Sequence, residues 1–378
     1  MNTLTISKRT MIWPNILFFT ATTLVALIGA PLYIARFGFH PFTIGMTVFY
    51  LFATSMSITV GYHRLFSHVT YKANPILQFL FLFFGAAAYE QSALCWSSQH
   101  RTHHLYVDTD QDPYSIKKGF FYAHIGWLLF WSHPEHYENS TDLQKNRLVM
   151  HQHKYYHLWA AVSGIVLPML IGYTFGDLPG AFVFPVCVRL FLVHQTTFCI
   201  NSICHTIGKA TYDIYSTAKD HWLVALITNG EGYHNFHHHF PSDYRNGVRW
   251  YQWDPSKWFI AILAKGGLTW DLKKVSVFRI LAARLAAENQ RAEDCLKNRN
   301  IPNLTTIQTR LKSQYEKLKQ TLSDWEGSAR EYQAVLRERL ERHSEKRRQA
   351  ALKRMEAQRR FRETLNQWKL IYLKLVAG

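Results

Sequence analysis

Four stretches of the sequence are apolar over the roughly 20 residues that a helix needs to cross a bilayer. They lie at residues 11–35, 41–62, 158–173 and 181–204. Only short links join the first stretch to the second and the third to the fourth, so we expect two antiparallel hairpins. Because a chain in lipid must satisfy its own backbone hydrogen bonds, these stretches predict an all-α integral membrane protein with four transmembrane helices.

Two hairpins would place both termini and residues 63–157 on the same side of the membrane. Basic residues mark that side, in the tail and at Lys8, Arg9, Arg64, Lys72, Lys117 and Lys118. Short loops rich in Lys and Arg stay in the cytoplasm, so we expect this side to be cytoplasmic. A fifth apolar stretch at 75–94 contains Glu90 and Gln91. We expect it to form a helix in the membrane interface or under a cytosolic helical cap.

Histidine is frequent in this sequence, with 20 among 378 residues. His63 and His68 follow the second apolar stretch directly, and His205 follows Asn201 at the end of the fourth. Two HxxHH motifs add His100, His103, His104, His234, His237 and His238. Residues three and four positions apart share one face of a helix, so each motif should present its imidazoles together.

The nine clustered imidazoles are more than one metal ion can bind. Imidazole is a ligand for iron, copper, zinc and nickel, and two ions with four or five nitrogen ligands each would use all nine. We therefore predict a di-metal site held by the cytosolic cap. Carboxyls close to the motifs could orient the ligand rings, with solvent exposure or helix capping as the alternative for each; they are Asp108, Asp110, Asp112, Glu231 and Asp243.

The sequence changes character beyond residue 270. Residues 273–378 contain 25 Lys and Arg against 12 Asp and Glu, a net charge of +13. The whole chain has a net charge of +17, so residues 1–272 carry only about +4. An a/d heptad pattern is formed by Leu304, Leu311, Leu318, Trp325 and Tyr332 and by Tyr315, Leu322, Ala329 and Leu336. We predict a membrane domain at 1–270, a linker helix at 271–303 with a break at 298–303, and a basic amphipathic or coiled-coil extension at 304–378. The extension could join chains in an oligomer, and its run 337–362 could rest on anionic lipid headgroups.

No electron carrier is encoded in the sequence itself. The five cysteines form no CxxC pair, and no GxGxxG motif is present, so we expect reduced cysteines and neither a flavin nor an iron–sulfur cluster. Any redox reaction would need a separate donor, a ferredoxin or a haem-type carrier with its reductase. The basic cytosolic face would attract an acidic carrier of this kind, and we expect no nucleic-acid partner.

Several motifs together resemble the membrane fatty-acyl desaturase family, in particular its stearoyl-CoA (delta-9) desaturase-like branch. They are GYHRLFSH at 61–68, HRTHH at 100–104, DTDQDPYS at 108–115, GFFYAHIGW at 119–127, NSICH at 201–205 and GEGYHNFHHHFPSDYRNG at 230–247. The resemblance implies O2-dependent removal of two hydrogens from adjacent methylenes of a long-chain acyl-CoA, or of an acyl chain on another carrier. It also implies two iron ions that alternate between Fe2+ and Fe3+, and we expect a bacterial inner-membrane protein.

Carried over by position, the resemblance implies a metal site with no separate catalytic residues. Its ligands would be His63, His68, His100, His103, His104, His205, His234, His237 and His238, and Asn201 would hold a metal-bound water. Substrate contacts are implied at Trp96, at the pair Thr197 and Phe198 beside a kink in an apolar tunnel, and at Lys117 and Lys118, which match a basic pair that contacts CoA phosphates.

The chain departs from the family pattern at two places near these residues. Phe198 stands where the family has tryptophan, so the kink lacks an indole N–H. Ser98 and Gln99 stand where the family's acyl-CoA enzymes have an Arg-Asp pair. Both departures bear on the acyl substrate and its carrier rather than on the metals.

Three other functions remain compatible with the sequence. A fatty acyl or alkyl hydroxylase would need the same metals, because it also begins by breaking a C–H bond. A desaturase could act on acyl chains attached to lipids. A non-catalytic membrane scaffold or metal-binding protein is a different class, and the complete set of nine histidines argues against it.

Overall fold

The computed structural model describes residues 8–132, 137–297, 304–338 and 345–376. The chain divides into two compact units. The membrane unit comprises Met1–Ala210 and Tyr215–Lys274, and the C-terminal unit comprises Thr211–Ile214 and Val275–Gly378. Each unit is helical, and the four strands have two residues each.

The main helices of the membrane unit are α1 (Trp13–Phe37), α2 (Pro41–Ser67), α3 (Pro75–Ala86), α4 (Ala93–Tyr106), α5 (Arg147–Lys154), α6 (Tyr156–Thr174), α7 (Leu178–His205), α8 (Trp222–Ile227), α9 (His234–His239) and α10 (Pro255–Lys265). Shorter helical turns lie at Ile116–Lys118, Tyr122–Gly126, Trp127–Phe130, Glu138–Ser140 and Thr141–Gln144. The strands β1 (Lys8–Arg9), β2 (Lys72–Ala73), β3 (Trp131–Ser132) and β4 (Thr269–Trp270) form two antiparallel pairs, β1 with β3 and β2 with β4.

Among the described residues, four helices are long and apolar enough to cross a membrane: α1, α2, α6 and α7. The predicted number of transmembrane helices and their pairing by short links are therefore confirmed. The helix α3 has 12 residues, which at 1.5 Å per residue is about 18 Å and shorter than the hydrocarbon core of a bilayer.

All four of these helices contain a stretch of wider, π-helical turns, in which an N–H bonds the carbonyl five residues earlier. The stretches are Val25–Gly29, Ser57–Ser67, Val162–Val166 and Phe182–Val188. The stretch in α2 has 11 residues, all buried, and it extends the helix beyond its expected end at residue 62. Wide turns of this kind often mark functional sites, and this one carries His63.

The expected single helix at 75–94 is wrong, because the chain breaks between α3 and α4. Asn74 caps the start of α3 by accepting a hydrogen bond from Leu77 N–H, and Ser92 caps α4 in the same way from Cys95 N–H. Side-chain caps of this type fix where a helix begins. Between the helices, Tyr89 has a φ of 58° and Gln91 a φ of 73°, so the turn is held in a conformation that side chains seldom adopt.

Arg189, a cation within the membrane helix α7, is buried and neutral groups surround its head. It donates hydrogen bonds to the carbonyls of Pro185 at 2.7 Å, of Gly164 at 2.9 Å and of Ala87. The carbonyl of Ala87 lies at the C-terminal end of α3, where a helix leaves acceptors without intrahelical donors. The cost of placing Arg189 in this segment is thus offset by hydrogen bonds to three backbone carbonyls, one of them at a helix end.

The C-terminal unit contains three long helices, α11 (Val277–Lys297), α12 (Leu304–Arg337) and α13 (Glu345–Val376). Their shared core comprises Leu285, Ala292, Leu296, Leu311, Leu318, Leu322, Phe361 and Trp368. The segment that the sequence assigned to a linker helix therefore packs with the two helices that follow it. The predicted break at 298–303 lies outside the described residues, as do residues 339–344 of the basic run.

The heptad pattern holds along the first two thirds of α12 and changes near its end. Val335 is buried, whereas Leu336, which the pattern placed inside, is 40% exposed. The guanidinium of Arg354 lies 4.4 Å from the centre of the Tyr332 ring. Because α13 covers this side of α12, Val335 rather than Leu336 faces the partner helix.

Two truncations test whether the three helices fold together. A chain that ends after residue 302 keeps α11 but loses its packing partners, so Leu285 and Leu296 become exposed. We expect that chain to aggregate, and a chain that ends after Lys274 to remain monodisperse in detergent and to retain its metal content. Size-exclusion chromatography with metal analysis measures both. If the chain that ends after residue 302 behaves as well as the chain that ends after Lys274, α11 is a linker and not part of the unit.

Candidate metal centre and substrate cavity

The wide turns of α2 bring its two histidines together. His63 lies within the π-helical stretch, and the N–H of His68 donates to the carbonyl of His63 at 3.1 Å. In ordinary α-helix, residues five positions apart point in different directions, whereas π-helical turns bring them towards the same side. The spacing of this motif, unlike that of HxxHH, therefore depends on a local departure from α-helical geometry.

The structure brings all nine predicted ligand histidines into two groups. Five ring nitrogens lie within 4.8 Å of one another in the five-histidine group, which comprises His63, His68, His100, His104 and His237. The same limit holds for the four-histidine group, which comprises His103, His205, His234 and His238. Each HxxHH motif divides between the groups, because residues at i and i+4 face one group and the residue at i+3 faces the other.

In the five-histidine group, the facing atoms are Nε2 nitrogens. His63 Nε2 lies 3.0 Å from His237 Nε2, which is itself 2.9 Å from His104 Nε2. His68 Nε2 lies 2.9 Å from His100 Nε2. These separations are those of nitrogens that surround one ion at about 2.0–2.1 Å from each.

The four-histidine group has the same arrangement. His234 Nε2 lies 3.0 Å from both His205 Nε2 and His238 Nε2. His103 Nε2 lies 3.3 Å from His238 Nε2. Four nitrogens from three separate segments therefore converge on one point.

The opposite ring nitrogens of two histidines are held by buried carboxylates. His63 Nδ1 lies 2.9 Å from Glu231, and His103 Nδ1 lies 2.8 Å from Asp112. A neutral imidazole that donates through Nδ1 has its lone pair on Nε2. Lone pairs only about 3 Å apart repel one another unless a cation lies between them, so the ring orientation fits a bound metal in each group.

Hydroxyl groups orient two further rings. His100 Nδ1 lies 3.2 Å from the hydroxyl of Tyr114. His205 Nδ1 lies 2.7 Å from Thr217 Oγ1, which donates to Asp108 at 2.6 Å. Such outer hydrogen bonds hold the ring orientation that a metal ligand needs.

Burial keeps these rings in the form that binds metal. Removal from water and the neighbouring imidazoles lower the pKa of five of them well below the usual histidine value: His68, His100, His104, His237 and His238. The rings are therefore neutral at physiological pH. A metal does not need to displace a proton from them.

A buried ion network supports the five-histidine group. Arg64, which is 1% exposed, donates to Glu231 at 2.9 Å and pairs with Asp254 at 3.0 Å. Thr59 also donates to Glu231. Although burial acts against it, the neighbouring His63 and Arg64 hold the pKa of Glu231 well below the usual value. Glu231 therefore stays ionised and links the ligand His63 to Arg64.

A cavity of about 1310 Å3, counting the open space at its mouth, lies beside the histidines. Its wall includes His63, His100 and His234 from the metal centre, and it is otherwise mainly apolar, with Phe18, Phe19, Ile58, Val193, Phe198 and Ile200. The indole of Trp96 stacks on the ring of His100 with centres 4.8 Å apart and planes at 25°. A long apolar molecule in this cavity would pass directly beside the metal centre.

The predicted substrate residues fall into two sets. Trp96, Thr197 and Phe198 line the cavity, as does Asn201, which was predicted to hold a metal-bound water. Lys117 and Lys118 are exposed and are not among the described residues of its wall, and Lys118 Nζ donates to the carbonyl of Asp110 at 3.2 Å. The two residues that replace the family's Arg-Asp pair also separate: Gln99 lines the cavity, whereas Ser98 is buried and donates to Asn139 at 2.8 Å.

The carboxyls close to the histidine motifs also fall into two sets, those that orient histidine rings and those that do not. Asp112 and Glu231 contact ligand rings directly, and Asp108 acts through Thr217, as described above. Asp110 is exposed, and Asp243 pairs with Arg245 at 2.7 Å. Three of the five carboxyls therefore orient histidine rings, and the sequence did not separate them from Asp110 and Asp243.

The part of the chain that holds the two histidine groups is similar to known proteins. The sequence model of the family described as fatty acid desaturase matches residues 40–271. The chain belongs to the fatty acid desaturase family. The match includes all nine histidines and all but the first residues of the cavity wall.

Individual relatives of this chain carry specific names. Acyl-CoA desaturase 1 of Saccharomyces cerevisiae is 42% identical over 248 residues, which are 65% of this chain and 49% of the yeast protein. Stearoyl-CoA desaturase 4 of mouse is 35% identical over 287 residues, 73% of this chain and 79% of the mouse protein. The human stearoyl-CoA desaturase is 36% identical over 283 residues, 73% and 78% of the two chains. The chain thus spans about half the length of its yeast relative.

Five residues around the site were not connected to it from the sequence. Arg64 and Asp254 were not connected to the metal centre, although an arginine directly beside His63 in a membrane helix is itself a signal of a buried acidic partner. Tyr114 and Thr217 carry no such signal, because hydroxyl groups are common and only the folded chain shows which imidazole they reach. Glu90 was noted only as a polar residue in an apolar stretch.

Proposed function

We propose that this protein is a membrane-bound, O2-dependent acyl-CoA desaturase with two iron ions, which introduces a delta-9-like double bond into a long-chain acyl group. The observation that carries the proposal is the position of the two histidine groups beside a cavity whose wall surface is mainly apolar. The printed names of the relatives, acyl-CoA desaturase and stearoyl-CoA desaturase, support the choice of acyl-CoA as the substrate.

In this proposal each histidine group holds one iron ion. The five-histidine group supplies all ligands of the first ion, and the four-histidine group, with Asn201 through a water, supplies those of the second. When bound, the two ions provide the redox chemistry that activates O2 and breaks an unactivated C–H bond, which side chains alone cannot do. Imidazole also suits copper and zinc, so metal analysis of gently purified protein is part of the test.

The residues of the chain position the substrate and keep water away from it. Trp96 covers one face of the ligand His100, and Thr197 and Phe198 form the adjacent wall. An acyl chain held between them would present a fixed pair of methylenes to the metal centre, and positioning of this kind accounts for a large part of enzymatic rate. Lys117 and Lys118 are exposed on the same unit and are available for the phosphates of CoA.

The overall reaction needs electrons as well as O2. One acyl chain, one O2, two electrons and two protons give one unsaturated chain and two waters. We propose a separate donor, a ferredoxin or haem-type carrier with its reductase, which docks on basic cytosolic residues. The exposed apolar residues of α13, Leu352, Met355, Leu370 and Leu373, support a further proposal, that the C-terminal unit joins chains in an oligomer.

The membrane orientation is also proposed rather than shown. Two helical hairpins leave the histidine segments on one side, and the basic residues of that side favour the cytosol. The relatives named above come from yeast, mouse and human, and the expectation of a bacterial inner membrane stays a prediction.

Expression in a host that lacks unsaturated fatty acids tests the function. We expect new double bonds at one position in long-chain acyl groups, detected by mass spectrometry of total lipids, and growth without added unsaturated fatty acid. A chain with His100 and His103 both replaced by glutamine serves as the inactive control. Hydroxylated chains would instead identify a hydroxylase, and iron-free but folded protein without product would identify a scaffold.

A further inference from the structure

A carboxyl group lies in the wall of the cavity without a cationic partner. Glu90 is in the turn between α3 and α4 and is half-buried, because its side chain faces the cavity. Its two oxygens accept hydrogen bonds from Trp96 Nε1 at 3.2 Å and from Thr197 Oγ1 at 3.1 Å. Glu231, the other glutamate of the wall, is neutralised by Arg64, whereas in the described part of the chain no Lys or Arg forms an ion pair with Glu90.

The two neighbours allow Glu90 to be either charged or neutral. An indole N–H can only donate, whereas a threonine hydroxyl can donate or accept. A proton on the oxygen that faces Thr197 therefore reverses that hydrogen bond and leaves the bond from Trp96 unchanged. The neutral acid loses no hydrogen bond in this site.

Because Glu90 is partly removed from water, the balance between its charged and neutral forms changes near neutral pH. Burial raises the pKa of Glu90 to about 7, although the hydrogen bonds from Thr197 and Trp96 act in the opposite direction. An apolar chain in the cavity would displace the water that still solvates the carboxylate. Loss of that water disfavours the charged form further, and the chain would then bind the neutral form more tightly.

Other ionisable groups near Glu90 have separate roles. The surrounding elements also carry three phenols, Tyr62, Tyr89 and Tyr156, which are uncharged at neutral pH; burial raises the pKa of Tyr89 further. The wall also contains the ligand histidines His63, His100 and His234, together with Tyr114, His194 and Glu231, and Cys95 and Arg189 lie on the adjoining helices. Among the described residues of the wall the carboxyls are Glu90 and Glu231, and Glu231 is fixed by its pair with Arg64, so Glu90 is the carboxyl that can change its protonation as the cavity fills.

We propose that Glu90 takes up a proton when an acyl chain enters the cavity, so that the chain binds only the neutral form of this carboxyl. The proposal rests on the proposed function, since it assumes that the acyl chain occupies this cavity. Above about pH 7 each binding event then consumes one proton, and the affinity for the chain falls by up to about tenfold per pH unit.

Calorimetry on the full-length protein in detergent tests this proposal. Stearoyl-CoA is bound without an electron donor, so that no turnover occurs, in pairs of buffers with different ionisation enthalpies. Acetyl-CoA, which has the same headgroup and lacks the long chain, provides the correction for protons taken up at the CoA site. We expect close to one additional proton per stearoyl-CoA at about pH 8 and almost none at about pH 6.

The variant Glu90→Gln is the matched control. Its amide accepts from Trp96 and donates to Thr197, as the neutral acid would, and it cannot ionise. We expect no additional proton uptake by this variant at either pH, and less than about threefold change in stearoyl-CoA affinity between them.

Two outcomes would overturn the proposal, and they can be told apart. Stearoyl-CoA that binds the wild-type protein at about pH 8 without additional proton uptake, or with the same uptake in Glu90→Gln, contradicts the role of Glu90 and leaves the proposed function intact. Stearoyl-CoA that fails to bind at any pH contradicts the proposed function itself. The wild-type measurement decides the question alone if the variant does not fold.

Discussion

Replacement of His237 by alanine is expected to remove one of the two metal ions and to lower desaturation by more than about 100-fold, because loss of an outer hydrogen-bond partner alone costs about 10–100-fold. His237 Nε2 lies within 3.0 Å of the Nε2 atoms of both His63 and His104. Its removal opens the five-histidine group at its centre. Metal analysis of purified protein and quantification of unsaturated acyl chains measure the two effects.

The neighbour His239 provides the control on the same helix. It is exposed and belongs to neither histidine group, so we expect His239→Gln to keep its metal content and its activity within about twofold. Full metal occupancy and turnover in His237→Ala would show that the two groups are not the metal ligands. Equal losses in both variants would point to general damage to α9.

Replacement of Arg64 by methionine is expected to lower the free energy of unfolding by about 3–5 kcal/mol, the usual cost of removing one partner from a buried ion pair. Arg64, Glu231 and Asp254 are each at most 6% exposed. Without the guanidinium, two carboxylates remain buried and face each other without a counter-charge. We expect metal loss as well, because Glu231 then no longer holds His63 in a fixed orientation.

The pair Lys72 and Asp271 is the matched control for this change. Its members lie 2.8 Å apart but are 63% and 60% exposed, and exposed pairs of this kind contribute about 0–1 kcal/mol. Thermal unfolding of Lys72→Met in detergent should therefore match the wild-type protein, whereas Arg64→Met should unfold at a clearly lower temperature. Similar curves for the two variants would mean that water reaches the network around Arg64.

The parts of the fold that follow a regular period could be predicted from the sequence. Apolar length indicated the membrane helices, and the HxxHH spacing indicated the six histidines of α4 and α9. The contact between His63 and His68 could not be derived from a period of 3.6, because it depends on the π-helical turns of α2. The turn at 87–92 was missed although it contains Glu90 and Gln91, because it has no Gly or Pro and only the cap at Ser92 indicates a new helix.

Charge was harder to interpret than apolarity. Arg64 and Arg189 are both arginines in membrane helices, yet the first pairs with buried carboxylates and the second with backbone carbonyls. Sequence alone gives the cost of burying each cation and does not identify the partner that offsets it. Glu90 is a further charged residue whose surroundings the sequence does not show, because they depend on a cavity that forms only when α2, α4 and α7 come together.

The division of each HxxHH motif between the two histidine groups has a consequence for biosynthesis. Both groups require residues from α9, the last of the segments to be synthesised, so neither coordination sphere can close before residue 238 has left the ribosome. Metallation is therefore a late step of maturation that joins α2, α4, α7 and α9 after membrane insertion. A newly made chain that has not yet bound metal would be inserted in the membrane with these four segments not yet held together by shared ligands.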